Sequence, residues 1–271
     1  MIRRTLVATI IVLAAPVVAA QEAVDDLDQE RFTFRVGAQL FTNFTTRLRV
    51  DSATLGRGTE LVVEDDLSVE DSLQVGRLDG AYHFNQRHSI VASFYDIRRT
   101  GTSVFSREIN FGDEIFSVNA IVKSDFDQSI IKLAYRYQFL DRPKFDLRAS
   151  FGLHTMKINT ELAVADGSRS QTADADAPLP VFGIQGAYRF SPKWRVVGSA
   201  EWFDVEAGDY KGTFLDALFS IEYEISERYG VGFGFNRFEL DVETDAENFN
   251  GEVTVTFDAA VLYFKGGFGQ R

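Results

Sequence analysis

Residues 188–202 read Tyr-Arg-Phe-Ser-Pro-Lys-Trp-Arg-Val-Val-Gly-Ser-Ala-Glu-Trp. Ser191-Pro192-Lys193 is a short polar break of the kind that turns a chain. After it, Trp194, Val196, Gly198, Ala200 and Trp202 fall on one face of an extended segment, and Arg195, Val197, Ser199 and Glu201 fall on the other. Eight residues separate the two tryptophans, about 26 Å at the rise of a strand. Strand tilt brings that span toward the apolar band of about 25 Å that a membrane barrel presents to lipid between two aromatic girdles.

The same period of two runs through the chain. Phe32, Phe34, Val36, Ala38 and Leu40 oppose Thr33, Arg35, Gly37 and Gln39. Ile131, Leu133, Tyr135, Tyr137 and Phe139 oppose Lys132, Ala134, Arg136 and Gln138, and comparable alternation covers 145–154 and 215–225. A soluble sandwich alternates too, so the connections decide. Tyr82-His83-Phe84, Tyr137-Gln138-Phe139, Tyr188-Arg189-Phe190 and Tyr223-Glu224-Ile225 each run into a tight polar turn, whereas most intervening connections are longer and acidic. Short turns at one end and long loops at the other belong to an outer-membrane barrel. The expected fold is all-β: a closed antiparallel transmembrane β-barrel with short periplasmic turns and longer extracellular loops. Ten strands are expected, near 31–50, 73–85, 87–101, 118–139, 144–162, 178–190, 193–207, 213–225, 228–241 and 253–268. A hairpin around Gly112-Asp113 would raise the number to twelve if it crossed the membrane; ten is preferred, because twelve would bring Arg98, Arg99, Arg107 and Glu108 near lipid.

The first twenty residues have a different character. Arg3 and Arg4 precede an uncharged run, Thr5–Ala20, that ends in Val-Ala-Ala. Sixteen residues broken by Pro16 are too few for a membrane helix, and the pattern is that of a cleaved export signal. The division is a signal peptide at 1–20, a short acidic periplasmic segment at 21–30, the barrel at 31–268 and a tail at 269–271. The 271 residues contain no cysteine and carry a net charge of -12. A disulfide scaffold, a thiolate metal site and a Cys nucleophile are excluded, and the acidic balance argues against nucleic acid as a partner.

Parity places Arg35, Arg77, Asp79, Lys132, Arg136, Asp146, Arg148, Arg189, Arg195, Glu201, Asp216, Glu222, Glu224 and Lys265 inside the barrel. These charges either form a salt-bridged plug or line a narrow polar conduit. Gly230, Gly232 and Gly234 face inward as well and leave room for neighbouring arginines. An outward girdle is expected from Tyr82, Phe84, Tyr137, Phe139, Tyr188, Phe190, Trp194, Trp202, Tyr223 and Tyr229. The segment Asp51–Asp71 holds seven acids against Arg57. Asp241, Glu243, Asp245 and Glu247 share one strand face. Such oxygen clusters suit loosely held divalent cations, although no segment matches a calcium-binding loop, and no cofactor or structural metal is expected. Val62, Val63, Leu67 and Val69 would pack the first loop as a lid. Of three histidines, His154 points inward toward the outer end with Ser150 on its face. It is the residue on which a hydrolase would turn, but no nucleophile-elbow or zinc-helix motif accompanies it.

The pattern resembles the small bacterial outer-membrane barrels, the broad OmpW-like and OmpA-like group. The last strand carries the resemblance furthest: Ala260, Leu262, Phe264 and Phe268 share a face, as in the C-terminal signal read by the barrel-assembly machinery. The resemblance implies a Gram-negative outer-membrane location, with outer-membrane lipid and lipopolysaccharide around the barrel. The paired acids and Asp–His arrangement of the ten-stranded protease barrels cannot be placed on these residues. The expected function is a non-enzymatic envelope protein, structural or surface-interacting, with at most a narrow pore. A passive channel for small solutes and a hydrolase at the barrel mouth are the alternatives.

Overall fold

The computed structural model describes residues 30–207, 210–246 and 249–270. The export signal at 1–20, most of the acidic segment that follows, Glu247 and the final Arg271 lie outside the described residues. In chain order the elements are β1 (Glu30–Val50), β2 (Leu61–Val62), α1 (Val63–Asp66), β3 (Gln74–His83), β4 (His88–Val104), β5 (Ile109–Phe111) and β6 (Glu114–Phe116). They continue with β7 (Ile121–Arg142), β8 (Phe145–Val164), β9 (Ser170–Arg189), β10 (Trp194–Ala207), β11 (Tyr210–Glu224), β12 (Tyr229–Ala246) and β13 (Phe249–Gln270). Ten of these strands form one antiparallel ring in sequence order, omitting β2, β5 and β6, and the ring closes where β1 pairs β13 from Glu30↔Gln270 to Val50↔Gly251. The strand number is therefore ten and not twelve, because β5 and β6 pair only with each other.

The strands are longer than a membrane requires. A spanning strand needs about 9–11 residues, while β7 and β13 each have 22. Polarity inverts along the excess. In the lower part of β7, Ile131, Leu133 and Tyr135 are exposed and Lys132 is buried; higher up, Lys123 and Asp125 are exposed and Val122 and Phe126 are fully buried. The strands β12 and β13 invert in the same way. Below, the outer face meets lipid and the inside is polar. Above, the outer face meets water, so the inside must supply the apolar core. Trp194, Trp202, Phe233 and Phe235 are 40–61% exposed on the outer wall, where a soluble sandwich would have buried them.

One extra residue in β1 helps this switch. A bulge between Phe41 and Asn43 shifts the register, so the inward set runs through Phe41 and then Phe44, Thr46 and Leu48. Several strands also outrun their expected ends: β9 begins at Ser170 instead of 178, and β13 at Phe249 instead of 253. Pro178 and Pro180 fall inside this longer strand. They are tolerated because β9 pairs with β10 only over Phe182–Arg189, so above that point it has β8 alone as a partner.

The first loop is a wall segment more than a lid. Strand β3 stops at Gln74, leaving the upper parts of β1 and β4 without a strand between them. Residues 61–69 fill that gap: β2 pairs with Arg47 and Leu48, and Leu61, Val63, Leu67 and Val69 are buried against the core. Val62 is only partly buried. Arg99 anchors the wedge. It donates to Glu64 and, at 2.9 Å, to Thr46 Oγ1, and its guanidinium lies 4.0 Å from the Phe44 ring centre. Burial lowers the Arg99 pKa below the ordinary arginine value, and Glu64 raises it back only in part. The β5–β6 hairpin packs beside this wedge, tied to the end of β1 and to the first loop by Gly112 N donating to Val50 O and Thr59 N to Asn110 O. The hairpin's own Ile109, Phe111 and Phe116 are buried, with Phe105 just before it.

Candidate functional site: a charged lumen under an apolar layer

Alternation points all fourteen predicted lumen charges inward. Glu222, with no exposed surface, is the hub of the lower network. It accepts from Arg195 Nε at 2.6 Å, Lys265 Nζ at 2.7 Å, Arg35 Nη2 at 3.1 Å and the Tyr263 hydroxyl at 2.6 Å. Lys265 also reaches Glu224. Four strands, β1, β10, β11 and β13, thus meet on one carboxylate. Around the ring, Arg77 pairs with Asp79 at 3.1 Å, with Ser93 also donating to Asp79, and Arg148 pairs with Asp146 at 3.2 Å. Arg189, opposite Arg195 in register, adds a further base on β9. Acids and bases interleave and do not divide into opposite walls.

The inward glycines have a more specific role than admitting arginines. A Cβ on Gly232 would come within 2.2 Å of the Tyr263 ring, and one on Gly230 within 2.6 Å of Lys265 Cε. They make room for the two β13 side chains that hold Glu222 and Glu224.

A second layer lies higher in the lumen. Lys132 pairs with Glu201, whose other oxygen is 3.2 Å from His154 Nε2. Asn236 links Asp216 to Gln39, which donates to its amide oxygen at 3.1 Å. His154, Glu201 and Asp216 each offer a ligand atom within 4.8 Å of the others, the one such group among the described residues. The donor set fits a cation poorly, because the Lys132 ammonium already occupies Glu201 and the Asn236 amide occupies Asp216. The loop acids converge on no comparable group; Asp51, Glu64 and Asp66 instead accept hydrogen bonds from Gly58, Thr46 and Val62 backbone N–H groups.

His154 is not at the barrel mouth. It is 3% exposed, and the edge-on ring of Phe214 packs against it at 4.9 Å. Sequence parity gave its direction but not its depth, since the strand rises well beyond the membrane. Above it, buried apolar side chains come from every strand of the ring: Phe44, Val75, Ile97, Phe126, Met156, Val181, Phe203, Phe214, Phe238 and Phe257 among them. Phe238 and Phe257 stack at 4.5 Å. This layer was the main feature hidden from sequence reading. Its signal was the inversion of alternation at strand ends, where Phe126, Phe238 and Phe257 fall in phase with the lower polar residues.

Below these layers a cavity of about 120 Å³ remains, bordered at its lower end by Thr33, His83 and Gly266 and at its upper end by Lys132 and Glu201. On the outside, the ten girdle aromatics all face away from the lumen. Phe84, Phe139, Tyr188, Phe190, Trp194, Trp202 and Tyr229 are exposed, and Tyr82, Tyr137 and Tyr223 are partly covered by neighbours, with Trp194 and Tyr223 4.8 Å apart.

A closed ten-stranded ring with an apolar belt, aromatic edges and a polar interior defines an outer-membrane β-barrel protein. No family model matches the chain, and no curated protein matches it. Among solved structures it is similar to the outer membrane protease OmpT from Escherichia coli, with a TM-score of 0.56 at 10% identity over 87% of this chain and 97% of that one. Others are the translocator domain of the autotransporter NalP from Neisseria meningitidis (TM-score 0.45, 10% identity, 90% and 91% covered) and the outer membrane protein OprG from Pseudomonas aeruginosa (0.38, 11%, 90% and 99%). The likeness to the protease is one of fold.

Proposed function

We propose that this is a non-catalytic barrel of the outer membrane, sealed to solutes, whose work is structural or done at its exposed outer wall. The observation that carries the reading is the apolar layer to which all ten ring strands contribute, closing the lumen above its charges. The pairing of most lumen acids with bases, Glu222 with three of them, supports the same view, because a conduit gains from charges left available along its length and a plug does not. The burial of His154 beneath Phe214 withdraws support from a hydrolase at the mouth. The surroundings follow from the outer wall. Lipid and lipopolysaccharide meet the belt and the acidic surface above it, where divalent ions would bridge Asp241, Glu243 and Asp245 to anionic headgroups. The outward row Leu262, Phe264 and Phe268 suits recognition by the assembly machinery.

The test is conductance of the refolded protein in a planar lipid bilayer, with insertion verified separately. A silent bilayer is expected. Reproducible single-channel steps would overturn the sealed-barrel reading.

A further inference from the structure

We propose that the lower cavity binds a tetrahedral oxyanion, a phosphate or a phosphomonoester end, held by Arg136 with Arg148 and Arg35. Seven of the residues lining the cavity are Arg or Lys and two are Asp or Glu. That imbalance arises because the lumen acids are turned toward particular partners. Glu222 is fully buried behind Arg195, Lys265 and Arg35. Asp79 is taken by Arg77 and Ser93, Asp146 by Arg148, and Glu201 by Lys132.

Arg136 is left over. Among the described residues no hydrogen bond or ion pair engages it, and the charges that act on it most strongly are Arg148 and Arg35, both of its own sign. A guanidinium held half-buried beside two others is costly unless an anion joins them. Glu222 pairs with Arg35 and Asp146 with Arg148, Glu201 and Asp79 act on Arg136 only through space, and the space beside Arg136 is the open cavity. A planar guanidinium presents paired donors that match a tetrahedral oxyanion. Ser150, directly opposite Arg136 in the β7–β8 register, adds a neutral hydroxyl to the same wall. Size sets the class: about 120 Å³ accepts one oxyanion group and falls below the roughly 300–1,000 Å³ of sites for larger organic ligands. The site lies below the apolar layer and does not depend on the barrel's being sealed, so conductance and binding fail independently.

The test is isothermal titration of the refolded full barrel, in a phosphate-free alkyl-glucoside detergent, with inorganic phosphate and, separately, with glycerol 3-phosphate. One phosphate per barrel is expected to bind. Arg136→Gln should weaken binding at least tenfold while the barrel still folds, since the change removes an unpaired charge; Arg87→Gln, in a periplasmic turn, should leave binding unchanged. Phosphate should also raise the urea midpoint of the parent and not that of Arg136→Gln. Binding of both probes supports a phosphomonoester site, and binding of inorganic phosphate alone supports a site for the free ion. Absence of saturable binding by either, or affinity unchanged in Arg136→Gln, overturns the proposal.

Discussion

Glu222 shows how much of a single residue's role sequence reading can reach. Parity along 215–225 put it inside the barrel, and so did the same argument for Arg35, Arg195 and Lys265. Parity could not say that these four would meet, because that depends on how strands whose meeting residues lie 27, 43 and 187 positions from Glu222 stagger around a closed ring. The cost of disturbing the meeting point can be estimated. Glu222→Gln keeps the shape and removes the negative charge that three cations share. Breaking a buried ion pair from one side costs about 3–5 kcal/mol, so the urea stability of the barrel in lipid vesicles should fall by about 3 kcal/mol. Adding Arg35→Met should restore part of the loss, because Arg35 pairs with Glu222 and one uncompensated cation goes with it. A fall below about 1 kcal/mol, within the range of an ordinary neutral hydrogen bond, would show that the network is not held by this charge.

At the scale of elements, the membrane-embedded halves of the strands were the legible part, since lipid outside and charge inside give an unambiguous alternation. The upper halves were less so. Once a strand leaves the membrane its outer face needs no apolar residues, and segments such as 170–178, with Ala173, Asp174, Ala175 and Asp176, look like loop. The wedge at 61–69 was the hardest to read. Its apolar residues were visible, but the gap it fills exists only because β3 is short. Gly101 on β4 is where the wedge backbone comes closest: a Cβ there would lie 2.2 Å from the Leu67 carbonyl oxygen and 2.9 Å from Val69 Cγ2. Backbone cannot yield as a flexible side chain can, and overpacking of this kind costs about 1–3 kcal/mol. Gly101→Val should therefore free the wedge while the ring stays closed. Thermolysin would then cut near Leu61 and Leu67, which the parent buries completely, and the heat-shifted gel mobility of the folded barrel would persist. Resistance equal to that of the parent would mean that the wedge is held elsewhere, through Arg99 and Glu64.

The whole molecule is two barrels sharing one set of strands. The lower one is solvated by lipid and filled with paired charge; the upper one is solvated by water and filled with phenylalanine. This division fixes where the membrane must lie, and the two tryptophans report on it. Trp194 and Trp202 stand at opposite ends of the belt on β10, both outward and about 40% and 45% exposed. Immediately above Trp202 the outward residues become Asp204 and Glu206. In vesicles of brominated lipid both tryptophans should be quenched, and more strongly by bromines near the headgroup than by bromines deep in the chains, because each sits at an interface and not at the bilayer centre. A third position tests the upper barrel. In a background with Trp194 and Trp202 replaced by Phe, a tryptophan introduced by Lys157→Trp, on the outer face of β8 above the belt, should escape quenching. Strong quenching at 157 would place lipid against the charged upper wall. Since a lysine facing lipid at depth costs about 2–4 kcal/mol in such barrels, and an acid less, Lys157, Asp174 and Asp176 together could not remain there, and the membrane boundary drawn from the polarity inversion would have to move.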